Sequence, residues 1–169
     1  MIKRIFASLV LLVFMIPAQA QEFVVPSNVE MEEAEDYARY EEHIIDCIDW
    51  LSSNGPETEP VKRKRAMAFL MMWLTGTPAV SMELHADMME YADKNPDLLM
   101  IFMGGWAKYA LQSEDDDQVA GNVAGLEAVL AYYEEFGDDL KRDRSLKKLA
   151  KLKEKGELED FVKKAIEKS

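Results

Sequence analysis

Ala66-Met67-Ala68-Phe69-Leu70-Met71-Met72-Trp73-Leu74 and Leu98-Leu99-Met100-Ile101-Phe102-Met103-Gly104-Gly105-Trp106-Ala107 are the two stretches on which the fold turns. Neither alternates polar with apolar as a half-buried strand would. Each is flanked by helix punctuation, and a helix that is apolar all round belongs in the centre of a core. The first opens at Pro60, whose missing N–H costs nothing at a helix start, and closes in Thr75-Gly76-Thr77-Pro78, with Gly76 placed to take a positive φ. Asn95 as cap, Pro96 in the first turn and Asp97 at the positive end of the dipole mark the start of the second.

Outward from these, the chain reads as helices. An extended lead, residues 21–29, ends in a cap at Ser27 or Asn28. A first helix is predicted from about Glu30 to Ser52, with Tyr37, Tyr40, Ile44, Cys47, Ile48 and Leu51 on one face. Ser52-Ser53-Asn54-Gly55-Pro56 is a turn. Between the two central segments we expect a short helix from about Met82 to Lys94. After Asn95 comes a helix capped in Glu114-Asp115-Asp116-Asp117 and ending near Phe136-Gly137. A final pair runs from about Ser145 to Lys155 and from Glu157 to Lys168, broken at Gly156. Leu158, Phe161, Val162, Ala165 and Ile166 form a stripe expected to dock on the domain. The reading is an all-α, single-domain helical bundle or irregular array of about six helices over residues 30–169.

Two glycines inside a central helix cost about 1 kcal/mol each relative to alanine and need a reason. Gly104 and Gly105 are therefore expected either to meet Gly121 and Gly125 of the following helix in a close crossing, with Ala120, Ala124 and Ala128 alongside, or to border a ligand pocket.

Lys3 and Arg4 precede an apolar run from Ile5 to Ile16, then Pro17 and Ala18-Gln19-Ala20. This is the grammar of a cleaved secretory signal, because the run of 12 residues is short of the roughly 20 a membrane span needs. Cleavage is expected at Ala20–Gln21, which places the protein in the periplasm or outside the cell, with no stable membrane span in the mature chain. Gln21 stands where a lipoprotein would carry its cysteine. A lone Cys47, between apolar neighbours, permits no internal disulfide and is expected to serve packing.

Charge is unevenly distributed. Residues 141–169 carry 11 Lys and Arg against 6 Asp and Glu, whereas residues 21–140 have a net charge of −19. An exported acidic body repels phosphate backbones, which excludes nucleic acid as a partner. Lys62-Arg63-Lys64-Arg65 is expected as a solvated first turn drawing a nearby acidic residue, since cations there oppose the helix dipole.

Chemistry-bearing constellations are sparse. The chain has two histidines, neither near a serine in a nucleophile elbow, and its carboxylates single out no pair, so no catalytic residues are predicted and a hydrolase is the last of the readings. His43 and Cys47 are an i, i+4 pair, and His85 lies near Met88 and Met89; these five are the metal candidates. Thioethers bind Cu(I), so Met67, Met71, Met72, Met100 and Met103 extend a copper-handling alternative, set against their simpler use as core filler. No cofactor is predicted. The expected function is non-enzymatic binding, with another envelope protein or a second copy as partner; carriage of a small apolar ligand is the second reading and copper handling the third.

Overall fold

A computed structural model describes residues 22–113 and 117–168, and the expected signal segment lies outside them. Among those residues the regular structure is all helical, with no strand and seven α-helices: α1 (Ala34–Arg39), α2 (Glu41–Ser53), α3 (Pro60–Leu74), α4 (Asp97–Ser113), α5 (Gln118–Phe136), α6 (Arg144–Lys155) and α7 (Leu158–Ile166). None is long and apolar enough to cross a membrane. The centre is α4, which buries residues on every side and packs most extensively on α5, with α2 and α3 on its other flank. The helices α6 and α7 pair with each other and cover α5.

Glycine contacts explain the α4–α5 crossing. A Cβ built on Gly105 would stand 2.5 Å from the Ala128 Cβ and 3.0 Å from the Ala124 carbonyl oxygen, and one on Gly125 would press 2.7 Å into the Phe102 ring. One on Gly121 would collide with the Trp106 indole. The helices interlock through aromatic side chains seated where side chains are missing. Gly104 looks the other way, toward Ile48 and Leu70, at an ordinary 3.4–3.6 Å.

Several local expectations are corrected. The first helix is not continuous: α1 begins at Ala34 behind a capping box in which Asp36 accepts from the Glu33 N–H at 3.0 Å, and Ser27 and Asn28 lie upstream of it. The chain breaks at Tyr40 because the Tyr37 carbonyl accepts from the Tyr40 N–H and from the Trp73 indole N–H, both at 3.0 Å, tying the end of α1 to α3. The Met82–Lys94 segment forms two short 3₁₀ turns, Ala86–Met88 and Glu90–Asp93, rather than one helix. Gly76 is not in a left-handed conformation; it is glycine because a Cβ there would collide with the Tyr37 hydroxyl. The Asn95 side chain, instead of capping α4, exchanges hydrogen bonds with the Lys141 backbone at 2.9 and 3.0 Å, fixing the chain entering α6 against the start of α4.

At the C-terminal pair, sequence punctuation and structure agree. Asp117 caps α5 by accepting from the Ala120 N–H at 2.8 Å. Asp143 opens α6, accepting from the Ser145 N–H (2.7 Å) and hydroxyl (2.6 Å), with the Lys94 ammonium at 3.2 Å. The Ser145 hydrogen bond, assisted by Lys94, holds the Asp143 carboxyl below the usual range against the opposing effect of burial. Gly156, at φ 71°, and Glu157 return their N–H groups to the Lys153 and Leu152 carbonyls, the glycine-dependent pattern that closes a helix. Leu146 and Leu149 of α6 and Leu158, Val162 and Ala165 of α7 face the core.

Candidate functional site

The α2–α3 corner concentrates the polar chemistry of the interior. Pro60 starts α3, so residue 63 projects from the first turn back over the end of α2, where carbonyls lack helical partners. Arg63 occupies that position and is 3% exposed. Its guanidinium donates to the carbonyls of Asn54 (3.0 Å), Gly55 (3.4 Å) and Leu51 (3.5 Å) and to the Tyr132 hydroxyl (3.1 Å), while Nε lies 3.7 Å from Asp97. Tyr132, on α5, in turn donates to the Asn54 carbonyl at 3.0 Å. Burial raises the pKa of its phenol and the Arg63 charge pulls the other way. A cation against the negative end of α2, with a carboxylate at the head of α4, is favourable electrostatics in a desolvated place. Apart from Nε, which has the Asp97 carboxylate nearby but no hydrogen-bond acceptor, the guanidinium is occupied by these partners, so the cluster acts as a clamp joining α2, α3, α4 and α5. Of the four basic residues, Lys64 and Arg65 are solvated as expected; Arg63 is not, because the orphan carbonyls offer it more than water does.

Outside the clamp lies a groove of about 690 Å³, between the lead and the first turn of α3. An extended segment turns successive side chains to opposite sides, so the run Phe23-Val24-Val25 cannot bury all three. Phe23 and Val25 go inward, Phe23 against Trp50 with ring centroids 6.2 Å apart, and Val24 is left 75% exposed. In the same groove, Val61 is 74% exposed. Lys62 lays its ammonium 4.7 Å over the Trp50 ring and reaches Glu22 and Glu59, each at 3.5 Å. Glu59 itself takes a left-handed φ of 43° to turn the chain into Pro60. The result is an apolar patch with charges of both signs at its rim. Its sequence signal was Val24, the middle residue of an extended apolar run, and Val61, between Pro60 and Lys62 at the start of α3.

The metal candidates fall in two groups, His43 and Cys47 on α2 and His85, Met88 and Met89 at the first 3₁₀ turn. His43 is exposed at the edge of the Tyr40 ring, whereas Cys47 is fully buried and donates to the Ala66 carbonyl at 3.4 Å. Four residues on a helix leave a rotation of about 40°, enough at the rim of the buried stripe to send one side chain out and the other in. Burial pushes the Cys47 thiol up to about 12, away from the thiolate that metals and electrophiles require. His85 and Met88 are buried next to the 3₁₀ turns, and the Met89 sulfur accepts from the Tyr91 hydroxyl at 3.3 Å. Among the described residues no three His, Cys, Asp or Glu side chains converge on a point an ion would occupy. Met100 and Met103 pack in the core, and Met71 and Met72 are each 40% exposed on α3. Gly104, Gly105, Gly121 and Gly125 meet side chains or backbone, and the Phe102 and Trp106 rings fill the space around the last two. No known family model matches this chain, and no curated protein or solved structure is detectably similar to it.

Proposed function

We propose that this chain is exported, loses its signal at Ala20–Gln21, and works without catalysis by binding a protein partner in the cell envelope. The observation that carries the reading is the Val24–Val61 patch. Two β-branched side chains about three-quarters exposed, lining one groove with Glu22, Lys62 and Arg65, have the anatomy of a docking surface: an apolar centre that gains by leaving water and a polar rim that sets orientation. The clamp at Arg63 supports it from beneath by fixing the first turn of α3, so little ordering is needed on binding. Export is supported by the Lys3–Ala20 grammar alone.

Native mass spectrometry of the chain recovered from its own host's envelope tests both parts. The expected spectrum begins at Gln21 and includes a second polypeptide that is lost from the Val61→Asp variant. An intact leader would overturn the export reading. A bare chain, or one carrying copper or a lipid, would overturn the protein-partner reading, the latter two in favour of the carriers.

A further inference from the structure

Arg144, Lys148, Lys151 and Lys155 follow one another at steps of four, three and four along α6, and Lys147 stands three residues from Arg144 and four from Lys151, which places all five on one face about 16 Å long. All five are exposed, and among the described residues none forms an ion pair. The nearby acids form no ion pair with it among the described residues: Asp143 is turned inward onto Ser145 and Lys94, Glu159 pairs with Lys163, and Glu154, Glu157 and Asp160 are exposed. The opposite face of α6 is anchored by Leu146 and Leu149, so the stripe is held on a docked helix.

We infer that the α6 stripe is a peripheral binding surface for a bilayer rich in anionic phospholipid. Three features favour a lipid surface over an acidic protein. The cations are spread along one open face of a single helix, around a shallow hollow of about 440 Å³, which suits a plane of repeated negative charges. None of the exposed large apolar side chains, Val24, Val61, Met71, Met72 and Leu84, lies on α6 or α7, so the face lacks the desolvated anchors that protein interfaces use. The long apolar stems of lysines let their charged ends reach a headgroup layer without insertion of the helix. The acidic remainder of the chain does not cancel this attraction, because charges beyond a Debye length of about 8 Å are screened at physiological salt while the stripe sits against the surface. The binding is independent of the Val24–Val61 patch and leaves that patch available.

The test is co-sedimentation of the full chain, as recovered from its host, with vesicles of equal parts phosphatidylglycerol and phosphatidylcholine and with vesicles of phosphatidylcholine alone. Binding is expected to the first only, and to fall steeply as salt is raised. Neutralising Lys147, Lys148 and Lys151 together to Gln should weaken it by on the order of a hundredfold, about fivefold per cation. The Lys64→Gln control on α3 should be nearly silent, and circular dichroism should show both variants helical. No binding of the unmodified chain at low salt, equal binding to both vesicles, equal loss in both variants, or capture by polyglutamate with none by vesicles would each overturn the inference.

Discussion

The helices α3 and α4 carry equally apolar stretches, yet only α4 is surrounded. It buries nine residues, from Leu98 to Ala110, while α3 buries Arg63, Ala66, Phe69, Leu70 and Trp73 and leaves Met71 and Met72 in partial contact with water. The difference lies in neighbours rather than composition. α4 has α5 pressed against its glycine face and α2 and α3 on the other side; α3 packs chiefly on α2 and α4, touches α1 and α5 through Trp73 and Arg63, and leaves the Met71–Met72 edge partly exposed. An unbroken apolar run shows that a helix can be central, and the number of partners decides whether it is.

The sharpest way to break the contrast is to empty the α4–α5 seam. Phe102→Ala removes a fully buried ring seated over Gly125 and should cost about 4 kcal/mol, read as a lowered urea midpoint. Next comes the polar anchor of α3. Arg63→Ala strips the α2 carbonyls of their donors and opens a cavity, with an expected loss of about 3 kcal/mol by the same measurement; Arg63→Lys should recover little, since an ammonium cannot serve carbonyls and phenol in a fork. Adjacent glycines should then differ in sign. Gly105→Ala forces α4 and α5 apart and should destabilise by about 2 kcal/mol, whereas Gly104→Ala meets only ordinary contacts and should be neutral or stabilising by up to about 1 kcal/mol in thermal unfolding. The smallest effect sharpens the comparison directly: Met71→Ala on α3 should change stability by less than about 0.5 kcal/mol, against about 2 kcal/mol for Met103→Ala on α4, compared by denaturant titration.

Legibility followed the range of the forces involved. Starts and stops set by one or two residues were readable: Pro60 beginning α3, Asp117 capping α5 and Gly156 ending α6 act on their own backbone. What failed were places where a distant group outbids a local one. Tyr40 interrupts the first helix because Trp73, on another helix, shares the Tyr37 carbonyl; Gly76 is required by the Tyr37 hydroxyl rather than by its own φ. In the candidate site, the valines were visible as residues but not as a patch. Their exposure depends on Phe23, Val25 and Trp50 having taken the space beneath them.

By itself the sequence determined that this chain is helical, where most of its helices begin and end, and that its charge divides into an acidic body and a basic tail. These follow from hydrogen bonding and side-chain chemistry within a few residues. Only the tertiary structure decided that Arg63 goes inside while Met71 and Met72 stay out, that the glycines of α4 face two different neighbours, and that five cations of the tail form one exposed stripe. Burial is a property of packed surfaces, and which surfaces meet is settled by residues far apart in the chain.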